Sequence, residues 1–106
     1  MTTKQRAALR SMGAVMEPVL HIGKEGITPT VIKQCWDALE ARELIKVQVQ
    51  RNAPYGQTRE ACDELSALTR SEQVQVIGTK FVLYRPSHKK DKKDKIVLPK
   101  AAKKTV

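Results

Sequence analysis

Two glycines that bracket a lysine and a glutamate form the most distinctive short motif of the chain, at Gly23, Lys24, Glu25 and Gly26. Glycine lacks a Cβ, so it can adopt positive φ and let the main chain approach another molecule closely. A helix start follows the motif, and its unpaired N–H groups and dipole favour a nearby anion. Lys24 would add a charge-assisted contact. This chemistry suits a phosphate-bearing polymer, although the same glycines could simply shape a strand-to-helix turn.

Residues that could catalyse a reaction or hold a metal are not arranged to do so. His21 lies in an apolar run and His88 in a basic segment, and neither stands at metal-ligand spacing from a cysteine. Cys35 and Cys62 fall on the apolar stripes of two helical segments, which favours reduced, buried thiols over a nucleophile or a disulfide. No phosphate-binding P-loop is present. We therefore expect no enzymatic activity, no metal and no cofactor.

The net charge of +9 is concentrated at the C-terminal end of the chain. Residues 1–85 hold 12 Lys or Arg against 9 Asp or Glu, whereas residues 86–106 hold 8 against 2. The run 88–95 has no apolar residue to bury and repels itself, so we expect residues 87–106 to form a basic, disordered tail. Such a tail could solubilise the domain or attract a polyanion without regard to sequence.

The length and the apolar pattern bound the class of protein. A chain of 106 residues forms one domain at most, and residues 1–86 carry its periodic apolar positions. No apolar run approaches the roughly 18 residues that a membrane span needs, and the N-terminus lacks the apolar core of a signal peptide. We therefore expect a soluble, monomeric, cytoplasmic protein with no membrane partner.

A first amphipathic helix is predicted over residues 3–15. Its apolar residues recur at helical spacing, and Lys4, Arg6 and Arg10 lie away from that stripe. These cations could extend a basic contact surface, or they could form an ordinary solvated face.

Two further helices follow. The second has Thr28 as a good N-cap and Pro29 at the first helical position, where a missing N–H costs nothing, and should run to about Arg42. Its apolar positions include Trp36, which we interpret as a core residue. The third helix is predicted over residues 57–69 from its apolar stripe.

Four strands are predicted, over residues 19–22, 44–50, 73–77 and 80–84. In the second, Ile45, Val47 and Val49 alternate with polar residues, which indicates one buried and one wetter face. Glycine first in the pair Gly78-Thr79 suits a type II′ hairpin between the last two strands. The order αβαβαββ predicts an α/β fold with a four-stranded mixed sheet and helices packed against it.

Cations on the strands are ambiguous. Lys46, Lys80 and Arg85 lie on strands or at their ends, where a charged side chain could protect a sheet edge instead of contacting a ligand.

Three separated blocks resemble a known family. LHIGKEGIT, ALEARELIKVQV and VQVIGTKFVLYRP stand in the order and spacing of the CRM domain, the chloroplast RNA splicing and ribosome maturation family, whose bacterial single-domain members are the YhbY-type proteins. The resemblance covers residues 3–86. It implies an RNA-binding domain similar in fold to the C-terminal domain of translation initiation factor three, with precursors of the large ribosomal subunit as partner. The chain departs from the family at Arg70, where relatives often carry a glycine.

These observations together predict a protein that binds structured RNA, most specifically ribosomal RNA during large-subunit assembly. The predicted contact residues are Gly23, Lys24, Glu25 and Gly26, with Lys4, Arg6 and Arg10 as secondary contacts. We also expect that a β-branched residue at Gly26 weakens RNA binding and leaves the fold largely intact. Two other hypotheses stay open, namely a nonspecific DNA binder and a protein-interaction module that uses the basic tail.

Overall fold

The computed structural model describes residues 2–86 as three helices and a four-stranded sheet. The helices are α1 (Thr3–Ala14), α2 (Pro29–Arg42) and α3 (Thr58–Thr69). The strands are β1 (Leu20–Ile22), β2 (Leu44–Val49), β3 (Glu72–Ile77) and β4 (Lys80–Tyr84). This is the predicted αβαβαββ order. The tail predicted over residues 87–106 lies outside the described residues.

The sheet has the strand order β1-β2-β4-β3. β1 runs parallel to β2, whereas β2 and β3 each pair antiparallel with β4, so the sheet is mixed as predicted. β2 and β4 are therefore central, and β1 and β3 are the edges. Lys46 on β2 and Lys80 on β4 do not lie on an edge strand, so of the two alternatives for these residues, edge protection was wrong.

Local signals place α2 and the hairpin as the sequence predicts. The Thr28 hydroxyl accepts a hydrogen bond from the Val31 N–H at 3.2 Å, and Pro29 occupies the first turn. Gly78 has a φ of 58°, and Thr79 is not among the residues with positive φ. That combination agrees with the predicted type II′ turn, in which only the first central residue needs positive φ.

Helices α2 and α3 cover one face of the sheet with the larger apolar core. Its buried members are Leu20, Ile22, Cys35, Leu39, Ile45, Val47, Val49, Ala61, Cys62, Leu65, Phe81 and Leu83. Full burial of each large side chain stabilises the fold by about 2 kcal/mol before entropy is subtracted. Both cysteines are free and buried as predicted, and burial raises the pKa of each to about 11, so they remain thiols at neutral pH.

Helix α1 packs on the opposite face, toward the end where β2 begins and β4 ends. There Leu9 joins a second buried cluster with Leu44, Val74, Val82 and Tyr84. Leu44 and Lys46 point to this face and are only 3 % and 7 % exposed. The prediction that this face of β2 is wetter was therefore wrong at its first residues, Leu44 and Lys46. Periodicity within one strand does not reveal that a helix packs over its polar side.

Arg85, just past β4, is buried and bonds to both helices of the larger core. Its Nη2 donates to Glu40 Oε2 at 2.7 Å, and its Nη1 donates to the Thr69 carbonyl at 2.8 Å. Its guanidinium carbon lies 4.0 Å from the centroid of the Trp36 ring. The alternative that Arg85 protects a sheet edge was wrong, because it follows the central strand β4 and is buried. The core assignment of Trp36 was also wrong, since this residue is 40 % exposed.

The C-cap of helix α3 is Arg70, which adopts the left-handed conformation with φ 55° and ψ 42°. Its N–H donates to the Ser66 carbonyl, as is usual for a helix C-cap of this kind. Arg70 therefore forms a left-handed cap without a glycine, and it places a Cβ where glycine would be unstrained.

We expect the Arg70→Gly variant to have a free energy of unfolding about 0.5–1 kcal/mol higher than the natural chain. Removal of the Cβ relieves left-handed strain of about 1–2 kcal/mol, and the greater freedom of glycine in the unfolded chain offsets part of that gain. Urea unfolding monitored by circular dichroism measures the difference. A variant less stable than the natural chain would show that the arginine side chain stabilises the cap.

Candidate nucleic-acid interface

The predicted contact motif forms a tight turn between β1 and α2. The Gly26 N–H donates to the Gly23 carbonyl at 3.0 Å, which closes the turn. Gly26 has a φ of 73°, whereas Gly23 is not among the residues with positive φ. The expectation of positive φ is therefore confirmed for Gly26 and wrong for Gly23.

Gly26 is held against the loop that follows β2. A Cβ at Gly26 would lie 3.1 Å from Pro54 Cγ and 3.4 Å from the Tyr55 hydroxyl. That hydroxyl accepts a hydrogen bond from the Ile27 N–H at 3.2 Å and lies 3.4 Å from Glu64 Oε1. Burial raises the pKa of Tyr55, so it stays protonated and can donate to Glu64. A β-branched residue at Gly26 would be strained by the positive φ and would press against Pro54, so it should lower the stability of the domain. The expectation that the fold stays largely intact remains a prediction.

Gly23 has the opposite environment. A Cβ at Gly23 would meet no atom within 4 Å, and Lys24 and Glu25 are exposed at the tip of the turn. A polymer can therefore approach the main chain at Gly23 with no side chain between them. Because Lys24 and Glu25 cancel in formal charge, attraction for an anion depends on backbone N–H groups and on the N-terminus of α2, which begins at Pro29.

The structure does not bring the predicted cation Arg6 together with this turn. The Arg6 Nη1 donates to the Gln73 carbonyl, and its Nη2 lies 3.5 Å from Glu72 Oε1. Both acceptors belong to β3, which is one edge strand of the sheet. The turn follows β1, which is the other edge strand. Lys4 and Arg10 lie on the same helix, which packs on β2, β3 and β4. The seven predicted contact residues therefore fall into two groups on different elements.

A row of polar side chains near the turn was missed by the sequence analysis. His21 pairs with Gln48 between β1 and β2, and Gln48 pairs with Lys80 between β2 and β4, so the three lie side by side on one face. His21 is exposed and the other two are half-buried. Alternation within each strand already placed them opposite the apolar core residues, but only the strand order shows that they are neighbours.

The described part of the chain contains neither a candidate metal site nor a candidate membrane-spanning helix. Within residues 2–86, no group of three or more His, Cys, Asp or Glu residues is placed to hold a metal ion. The same residues include no helix with the length and apolar character required to cross a membrane.

The fold and the turn define a class of small α/β domain in which a glycine-bracketed turn leads from an edge strand into a capped helix. The chain belongs to the CRS1/YhbY (CRM) domain family, whose model matches residues 1–85. The family predicted from the three sequence blocks is thus confirmed.

Several relatives align with most of this chain. The chain is 41 % identical over 87 residues to "Probable RNA-binding protein YqeI" of Bacillus subtilis, which spans 82 % of this chain and 90 % of that protein. It is 36 % identical over 104 residues to an RNA-binding protein of Haemophilus influenzae, spanning 94 % and 96 % of the two chains. The solution structure of Staphylococcus aureus SAV1595, a candidate RNA-binding protein, is 45 % identical with a TM-score of 0.74 and covers 93 % of this chain and 99 % of that one. This likeness confirms the predicted fold class.

We expect the two glycines of the turn to differ sharply in their tolerance of alanine. Gly26→Ala should lower the free energy of unfolding by about 1–2 kcal/mol, because it combines a left-handed backbone with a close contact to Pro54. Gly23→Ala should stay within about 0.5 kcal/mol of the natural chain, because its methyl group meets open space. Thermal or urea unfolding of the two variants measures this difference. Equal losses would contradict the assignment of distinct roles.

Proposed function

We propose that this protein binds structured RNA through the turn of Gly23, Lys24, Glu25 and Gly26, and that the RNA is ribosomal RNA in precursors of the large ribosomal subunit. The observation that carries the proposal is the open main chain at Gly23 beside the capped N-terminus of α2. Family membership and the RNA-binding names of the B. subtilis and H. influenzae relatives support RNA as the polymer. The ribosomal partner is what the resemblance to YhbY-type proteins implies.

The geometry favours recognition of an RNA backbone over a reading of its bases. A GxxG turn clamps backbone nucleotides in KH domains, which have a different fold, because glycine allows close approach of main chain to sugar and phosphate. With a formally neutral turn tip, N–H groups and the helix dipole contribute a large share of the attraction. Specificity then comes from RNA shape and 2′-hydroxyl groups. If four to six phosphates are contacted, the log-log salt slope is roughly −3 to −4 on single strands.

The secondary contacts contribute unequally. Arg6 already bonds to two acceptors on β3, so engagement of RNA would compete with those bonds. Lys4 is exposed and Arg10 is partly exposed, and both remain candidate contacts on the α1 surface.

A valine at Gly23 tests the turn with little risk to the fold. Because the added side chain projects into open space, we expect a melting temperature close to that of the natural chain and an affinity for a structured large-subunit rRNA fragment weakened about tenfold. Fluorescence anisotropy of labelled RNA at fixed salt measures the affinity. The matched control is Ala67→Val, which places the same valine side chain at an exposed position of α3. Equal affinities for both variants would overturn the role of the turn.

The ribosomal assignment has its own test. Extracts of cells that produce the tagged protein are sedimented on a density gradient, and we expect the protein in fractions that contain precursors of the large subunit. The control is the Gly23→Val variant, which should shift toward the top of the gradient. If the natural protein also stays at the top, or sediments with small-subunit particles, the ribosomal partner is wrong. Competition between the rRNA fragment and duplex DNA at matched salt separates RNA binding from nonspecific DNA binding.

A further inference from the structure

A pocket beside α2 combines features of a ligand site that the turn does not use. It has a volume of about 370 Å³ and is lined by Trp36, Arg70, Arg85 and Pro86. Trp36 is 40 % exposed, so part of a large aromatic side chain faces solvent at the pocket. An exposed aromatic ring next to two arginines suits a nucleotide, because a base can stack on the ring while its phosphate meets a cation.

Arg85 forms a fixed wall of this pocket. Its side chain is 7 % exposed, and its two Nη groups bond to Glu40 and to the Thr69 carbonyl. Its buried Nε–H has no hydrogen-bond partner among residues 2–86. A buried donor without a partner costs free energy, so a ligand acceptor that reached this group would bind more tightly.

Arg70 supplies an exposed positive charge at the pocket. The Arg85 charge is balanced by Glu40, whereas the Arg70 side chain is exposed. Arg70 also holds the left-handed cap where glycine would be unstrained, and strain of this kind concentrates where a side chain serves a function. The pocket therefore favours a ligand that joins a flat apolar group to a negative group.

The exposed side of α2 connects this pocket with the Gly23–Gly26 turn. Pro29, Lys33 and Trp36 recur at i, i+4 and i+7, so they share one face of the helix. Seven helical residues span about 10 Å. Lys33 lies between the two sites and is exposed, although it bonds to Asp37 at 3.0 Å. A single strand held at the turn can therefore reach the pocket along this face.

We propose that the pocket of Trp36, Arg70 and Arg85 holds one unpaired nucleotide of the RNA that the turn contacts. The base stacks on the exposed part of the indole, and the adjoining phosphate contacts Arg70. This inference rests on the proposed RNA binding, and it adds a nucleotide-sized site to a surface that otherwise meets only the RNA backbone.

Trp36 is the single tryptophan of the chain, so its fluorescence reports on the pocket directly. The full chain is titrated with a labelled RNA hairpin that has an unpaired loop, while label anisotropy and tryptophan emission are recorded together. We expect emission to be quenched and to saturate at the same RNA concentration as the anisotropy. An anisotropy change with constant emission would overturn the pocket and leave RNA binding intact. The absence of any anisotropy change would overturn both proposals.

Substitutions test the two recognition groups separately. Arg70→Gly should weaken binding about fivefold and reduce the quenching, and a melting curve should show a fold no less stable than the natural one. The matched control is Arg42→Gln, which removes one exposed charge from α2 without lining the pocket. Equal losses in the two variants would indicate general attraction and overturn the role of Arg70. Trp36→Leu should weaken binding about tenfold, as expected for loss of a stacked base, and Trp36→Phe should retain most of the affinity.

The chain itself offers a rival occupant, since Pro86 at the pocket leads toward the apolar segment 96–99. The full chain carrying Ile96→Ser and Leu98→Ser is therefore compared with the natural chain without RNA. Identical tryptophan emission supports an open pocket that accepts a nucleotide. A change in emission would show that this segment fills the pocket and would overturn the proposal.

Discussion

One buried guanidinium group controls the arrangement of the elements around the larger core. Arg85 bonds to Glu40 on α2 and to the last residue of α3, Thr69, and its own N–H donates to the Glu43 carbonyl at 2.9 Å. A buried ion pair contributes little net stability, because desolvation offsets the attraction, yet the loss of one partner leaves an expensive buried charge. The consequence is selectivity: alternative positions of α2 and α3 would break these bonds. Because a helix is stiff, fixing the C-terminal end of α2 also fixes where its N-terminus presents the turn.

The two faces of the sheet are used differently. On one face, α2 and α3 bury the apolar side chains of the larger core. The turn precedes α2, and Trp36 on α2 lines the pocket, so both candidate contacts belong to this side of the molecule. On the other face, α1 covers one end of the sheet, and the row of His21, Gln48 and Lys80 remains at the other. Arg6 reaches from α1 to the backbone of β3 and so occupies a carbonyl of an edge strand, which lowers its tendency to pair with another chain. The cation that sequence alone suggested for RNA therefore has a structural task.

Features encoded in short stretches could be predicted from the sequence. The cap at Thr28, the first-turn Pro29, the alternation of β2 on its core side and the glycine-led hairpin each depend on residues a few positions apart, and each is found in the structure. The errors concern contacts between distant segments. Trp36 is 40 % exposed and lies beside Arg85, which is 49 positions later in the chain, so the spacing of apolar residues within α2 could not reveal its surroundings. Likewise, only the strand order shows that Arg6 and the turn belong to opposite edges.

The same limit explains why the two glycines of the motif looked equivalent. Sequence shows their spacing, but the role of each depends on what lies against it. Gly26 faces Pro54 and Tyr55, so its missing side chain is needed by the protein itself to bring two loops together. Gly23 faces nothing within the domain, so no internal contact accounts for its missing side chain. The fold itself would tolerate a side chain at Gly23, which lies next to a helix N-terminus that attracts anions. Contact with an external polymer is therefore the best explanation for a glycine at this position. In the proposed mode of RNA binding, the first glycine of the motif is therefore the one that the polymer requires, whereas the last glycine is the one that the fold requires.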